Sequence, residues 1–255
     1  MLRKFHVNKL HIEVHKNRDD MGKAAAVYGI AIIKHLLQEK EEINVMFAAA
    51  PSQDEVLEYL KKDKELDFSR INAYHLDEYI GLPVNAPQGF GNFLRKRIFS
   101  SVNFKSVHYI NGQAADYDVS CEDYASKLAA HSLDICFIGI GENGHIAFND
   151  PMVADFNDTK IVKVVKLDER CRQQQVNDGC FDTLAQVPTH ALTVTIPTIM
   201  SANHIICTVP STTKAEAVYH TLYDDISEAC PASILRRHDN ATLYLEPDSA
   251  GLLKI

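Results

Sequence analysis

The chain reads as an α/β protein with a mainly parallel central sheet covered by helices on both faces, folded as one domain over residues 1–255. Three observations predict this. Short runs rich in β-branched and apolar residues recur along the sequence, and segments with helical spacing separate them. No Gly/Ser/Pro-rich linker, repeat or low-complexity stretch divides the chain. Its 255 residues can bury a sizeable core in one unit.

The elements follow in order. Met21, Ala25, Tyr28, Ile32 and Leu36 recur at threes and fours, which predicts a helix over 19–41. Residues 43–50 form a strand, and Pro51-Ser52-Gln53-Asp54-Glu55 opens a helix with Ser52 and Glu55 spaced as a capping box. A third apolar run, 71–76, ends in Asp77-Glu78-Tyr79. Helices are expected at 90–98 and 122–130, and strands at 135–138, 191–196, 204–209 and 241–245. Pro210-Ser211-Thr212-Thr213-Lys214 begins one more helix.

Composition narrows the functional classes. A formal charge of −8 excludes a broad nucleic-acid surface, so any anion site is local. No apolar run reaches the ~20 residues that span a bilayer, so no membrane partner is expected, and Met-Leu-Arg-Lys-Phe-His-Val carries no signal-peptide core. The six cysteines form no C-x-x-C pair. Cys136 and Cys207 lie in apolar runs as buried thiols, which fits a reducing cytoplasm. His6, His11 and His15 have no carboxylates arranged around them for a metal, and no metal is expected.

Chemistry concentrates where strands end, because ligands of such sheets bind beyond the carboxyl ends of the strands. Gly139, Gly141 and Gly144 follow the strand at 135–138 and lead to His145, with Asn143 two residues before it and Asp150 five after. Glycines let backbone approach a ligand, and a histidine there moves protons near neutral pH. Gly139-x-Gly141-x-x-Gly144 also matches the dinucleotide fingerprint. That motif needs a helix opening at its third glycine. His-Ile-Ala-Phe-Asn-Asp-Pro is a poor helix start, so nucleotide binding is rejected and no cofactor is expected. Asp77, partly desolvated at a strand end, suits a general base. Lys214 and the Ser211–Thr213 turn suit an anion.

Leu76-Asp77-Glu78-Tyr79-Ile80-Gly81-Leu82, the run from Gly139 to Asn149, and Ala191-Leu192-Thr193-Val194 resemble the glucosamine-6-phosphate deaminase (isomerase) family over roughly residues 24–253. The resemblance implies a single Rossmann-like domain and conversion of glucosamine 6-phosphate, or a close relative such as galactosamine 6-phosphate, with water to the ketose phosphate and ammonia. No redox cofactor is implied. It assigns Asp77 as the base that moves the C2 proton to C1, and His145 as the ring-opening acid/base with Asn143 and Asp150 behind it. Ala49, Ala50, Ser52, Glu78, Gly141, Gly144, Arg172 and Lys214 are assigned to the substrate and its phosphate. The implied partner is a small sugar phosphate, with a homo-oligomer left open.

The chain departs from that pattern in four places. Asn143 and Asp150 stand where the family usually has Asp and Glu, and the shorter Asp150 leaves room for a bridging water. Ala48-Ala49-Ala50-Pro51-Ser52 replaces a glycine-rich loop. Gln175 takes the place of an arginine, so either Arg172 substitutes for it from a shifted position or the far end of the substrate differs. Two alternatives remain: a 6-phosphogluconolactonase-type hydrolase, and a catalytically impaired sugar-phosphate sensor.

Overall fold

The computed structural model describes residues 1–254. Its centre is an eight-stranded sheet in the order β1-β2-β11-β10-β7-β3-β4-β6. The strands are β1 (Arg3–Val7), β2 (Leu10–Val14), β3 (Ile43–Phe47), β4 (Ile71–His75), β6 (Ser106–Val107), β7 (Ile135–Ile138), β10 (His204–Val209) and β11 (Ala241–Leu245). All neighbours pair in parallel except the β1–β2 hairpin. The four-residue β7 shows why the strands read as unbroken apolar runs. Ile135 and Phe137 face one core with helices α1 (Arg18–Glu39) and α2 (Asp54–Lys62), while Cys136 and Ile138 face a second core with α4 (Tyr117–Ala129) and α7 (Ala215–Tyr223). A strand buried on both faces has no polar side to alternate with.

A second, three-stranded antiparallel sheet runs β5-β9-β8, formed by β5 (Asp77–Tyr79), β8 (Val162–Lys166) and β9 (His190–Val194). The single-sheet reading of the sequence is corrected here. Asp77-Glu78-Tyr79 does not end β4 but starts a new strand, and the 191–196 run belongs to this smaller sheet. The amide of Val194 donates to the Leu76 carbonyl at 2.8 Å, which joins the two sheets at the rim of the site.

Several local expectations shift. Residues 48–50 leave β3 early, and the turn over Pro51–Gln53 has no side-chain cap. The capping box is absent, because Glu55 pairs instead with Arg18 Nε at 2.7 Å. The helix expected at 90–98 is α3 (Phe90–Leu94) continued by a π-turn over Arg95–Phe99. A helix not foreseen, α5 (Glu169–Asn177), is capped by the Asp168 side chain, which accepts from the amides of Arg170 and Cys171. No helix among the described residues is long and apolar enough to cross a membrane.

Candidate active site

The carboxyl ends of β3, β4, β7 and β10 border one cavity. It is lined by Ala49, Ala50 and Ser52 from the first, Asp77 beyond the second, Gly141 and His145 beyond the third, and Ser211 and Lys214 beyond the fourth. Convergence of separate strand ends on one rim is what the sequence predicted.

Asp77 is buried, 6% exposed, and its carboxyl meets no hydrogen-bond donor among the described residues. Burial, reinforced by the Glu78 charge, holds its pKa well above the usual carboxylate range. The backbone beneath it is fixed by His75, which the sequence reading passed over inside an apolar run. His75 Nδ1 donates to the Asp77 carbonyl at 2.9 Å, and its Nε2 accepts from the Ile110 amide at 2.9 Å. Burial lowers the His75 pKa to about 4, so the ring stays neutral and keeps that tautomer. The Tyr124 hydroxyl accepts from the His75 amide and donates to its carbonyl, each at 2.8 Å.

His145 sits on a tight loop closed by the Gly141 amide donating to the His145 carbonyl at 2.9 Å. No helix opens at Gly144; the segment runs in turns through an isolated bridge between Ile146 and Asn149, in keeping with the rejected fingerprint. The imidazole lies flat on Gly141, where any Cβ would fall 2.1 Å from the ring. Its Nδ1 donates toward Asn143 Oδ1 at 2.7 Å and Asp150 Oδ1 at 3.0 Å, leaving Nε2 as the ring nitrogen available to a ligand. Asp150 is fully buried and takes further donors from Asn143 Nδ2 and the Asp168 amide, both at 3.0 Å. Burial opposes its charge, but these hydrogen bonds and the imidazole prevail and bring its pKa down to about 2. Asp150 therefore reaches His145 directly, and no bridging water is needed. A ring nitrogen of His145, a carboxylate oxygen of Asp150 and the thiol of Cys171 lie within 4.8 Å of one another. Two of the three are already engaged in this relay, and burial keeps the Cys171 thiol protonated.

Lys214 is 6% exposed, and its Nζ has no hydrogen-bond partner among the described residues. Burial lowers its pKa, against the opposing charges of Asp178 and Glu142. A buried, unpartnered cation facing a cavity calls for an anion. The turn before it is less open than its sequence suggests. The Ser211 amide donates to Glu246 Oε1 at 2.8 Å, and Ser211 is held at φ +89°, a strained backbone for a residue with a Cβ.

Three expected ligands lie elsewhere. Glu78 faces away from the cavity, because successive side chains of a strand point to opposite faces. Its carboxylate accepts from the amides of Tyr79, Phe90 and Gly91, each at 2.9 Å. Gly144, at φ +81°, turns the loop against Cys230, whose Sγ would lie 2.7 Å from a Cβ there. Arg172 spends its guanidinium on the carbonyls of Leu184 and Val187 at 2.7 and 2.8 Å, so it does not substitute for the missing arginine. Sequence reasoning missed Arg18, Phe90, Phe148, Gln174 and Asp178, which all line the cavity. It also missed buried Gln53, whose Nε2 donates to the Ile138 carbonyl at 3.0 Å and Thr208 Oγ1 at 2.8 Å, pinning the loop after β3 to two neighbouring strands.

Fold and cavity together define an α/β enzyme whose ionisable groups gather at the carboxyl edge of a mainly parallel sheet. Comparison with known proteins narrows the class. Residues 16–244 match the model of the glucosamine-6-phosphate isomerases/6-phosphogluconolactonase family, and the chain belongs to that family. It is 33% identical over 243 residues to the glucosamine-6-phosphate deaminase of Bacillus cereus (strain B4264), covering 95% of this chain and 89% of that one. The deaminase of Bacillus thuringiensis (strain Al Hakam) is 34% identical over the same shares. Among solved structures, a monomeric glucosamine-6-phosphate deaminase superposes with a TM-score of 0.85 at 30% identity, over 94% of this chain and 99% of that one. The 6-phosphogluconolactonase of Thermotoga maritima has a TM-score of 0.77 at 18% identity, over 93% and 100% of the two chains, a likeness of fold alone.

Proposed function

We propose that the chain converts glucosamine 6-phosphate and water to fructose 6-phosphate and ammonia. Asp77 and His145 are the acid/base pair, and Lys214 is a phosphate ligand. One observation carries this reading: a desolvated, unpartnered carboxyl at Asp77 shares a cavity with His145. Lactone hydrolysis needs a group to activate water, and His145 alone would serve. Aldose–ketose isomerisation also needs a base that carries a carbon-bound proton between adjacent carbons, and Asp77 is free to do so. A carboxyl with a raised pKa is the stronger base for that proton, since efficiency is greatest when the pKa lies near the working pH.

In this mechanism His145 Nε2 takes the proton of the C1 hydroxyl and returns it to the ring oxygen, so the C1–O5 bond breaks and C1 becomes an aldehyde. Asp150 and Asn143 hold Nδ1–H and thereby the tautomer. Asp77 removes the C2 proton and delivers it to C1, while the aldehyde oxygen gains the proton that the amino nitrogen gives up, which leaves an imine at C2. Water adds to that carbon, and the nitrogen leaves as ammonia.

The test is turnover by the purified chain. Equimolar ammonia and fructose 6-phosphate from glucosamine 6-phosphate are expected. Hydrolysis of 6-phosphogluconolactone without ammonia release would replace the reading with the lactonase. Binding of the amino sugar phosphate without turnover would replace it with a sensor.

A further inference from the structure

A phosphate dianion held near neutrality needs more than the single charge of Lys214. Among the described residues that line the cavity, the only other permanent cation is Arg18, which no sequence motif marks. Arg18 begins α1, far along the chain from the strand-end loops. The approach is made possible one turn on, at Gly22. A Cβ there would fall 2.3 Å from the Glu55 Cβ, so the absence of a side chain lets α1 close on α2. Arg18 thereby reaches the start of α2 and the turn that carries Ser52.

The guanidinium is tethered at two points, Nε to Glu55 Oε1 at 2.7 Å and Nη2 to the Pro51 carbonyl. A guanidinium has five N–H donors, so three remain unused after these two bonds. The side chain keeps 42% of its surface exposed and lines the cavity. A planar cation tethered by a carboxylate and a carbonyl, with three N–H donors to spare at the edge of the cavity, suits an oxyanion that it can grip through two bonds.

We infer that Arg18 is the second cation of the phosphate site. With Lys214 it forms a two-armed clamp and takes the place left by Gln175 and by Arg172, whose guanidinium is engaged elsewhere. The inference rests on the sugar-phosphate reading above and specifies how the far end of that substrate is held. Arg18 would touch the phosphate and not the reacting carbons, so its loss should fall on substrate affinity much more than on the chemical step.

The experiment compares wild type, Arg18→Ala and Arg18→Lys in two measurements: steady-state kinetics on glucosamine 6-phosphate, and calorimetric titration with inorganic phosphate in the absence of sugar. Arg18→Ala is expected to raise KM and to weaken phosphate binding, each by about tenfold or more, as loss of a charge-assisted bond implies. Arg18→Lys should recover part of both. Unchanged KM and phosphate affinity in Arg18→Ala would overturn the inference. So would a loss of kcat at constant KM, the mark of a residue that only holds α1 to α2. Arg18→Met, which keeps the stem without the charge, replaces Arg18→Ala if that variant does not fold. The phosphate titration needs no turnover and so separates the two proposals: Arg18-dependent phosphate binding in a protein that releases no ammonia would sink the deaminase reading and leave Arg18 in place.

Discussion

Asp150→Asn tests the relay behind His145, and its cost can be worked from the structure. The carboxylate accepts from His145 Nδ1, Asn143 Nδ2 and the Asp168 amide, each at 3.0 Å. An asparagine offers one acceptor oxygen and an NH2 group, so at least one of these donors would face another donor. The fall of the Asp150 pKa from 3.8 to about 2 measures how much the folded protein favours the charged form. At 1.36 kcal/mol per unit this is about 2–3 kcal/mol, undiscounted because the side chain is fully buried. The folded pKa is depressed, so this stability is present above the unfolded value of ~3.9 and is lost as pH falls through about 2. Urea denaturation should give a wild-type minus variant gap that is present at pH 7 and at pH 5 and narrows below about pH 4. Turnover should drop about tenfold, because a neutral acceptor holds a developing imidazolium less well than a charged one. A gap that stays constant to pH 3, or no gap at pH 7, would show that Asp150 is not the charged anchor of the relay.

Asp77→Asn should lower kcat by about 10²- to 10⁴-fold while raising stability at neutral pH. Its carboxyl has a raised folded pKa, so the ionised form is a burden above that pKa and the gain should vanish as pH falls below the unfolded value; a variant less stable at pH 8 would contradict this. Asn143→Asp replaces the donor to Asp150 with a second carboxylate against Nδ1 of His145. The histidine limb of its pH–rate profile should move to higher pH, and an unmoved limb would mean that Asn143 does not govern the imidazole. Lys214→Ala should raise KM for the phosphorylated sugar about tenfold and barely affect residual activity on the unphosphorylated sugar; equal losses on both would make Lys214 structural.

The sheet core was legible because each parallel strand is an apolar run between helical spacings, and the site was legible because its residues close those runs. Where the reading failed, local sequence carried no signal. Between His75 and Asp77 there is no glycine or proline to mark the passage from one sheet to the other, so β4 and β5 read as one strand. Helix α5 buries only Cys171, Gln174 and Gln175, and such a face has no apolar period to detect. Arg18 reaches the site across α2, and Gln53 fixes the loop beside it from between β7 and β10; both act through tertiary packing, and no spacing along the chain records either contact.

The adjacent acids Asp77 and Glu78 show how one strand register divides similar residues between different tasks. Both are carboxylates on β5, and the sequence proposed both for the cavity. The two-residue period of a strand forbids that, because one must face away. Asp77 faces the cavity without a partner, while Glu78 accepts three amides and so orders the start of α3. That cap also serves the site, since α3 begins with Phe90, which stacks on Phe148 with ring centroids 5.3 Å apart, and both rings line the cavity. Both rings share the cavity with the Asp77 carboxyl, whose burial, reinforced by the Glu78 charge, keeps its pKa high. A shift of one residue in the pairing of β5 with β9 would exchange the two roles. The unpaired base and the capped acid therefore depend on the Asp77–Thr193 register, in which the Thr193 hydroxyl also accepts from the Phe148 amide at 3.1 Å.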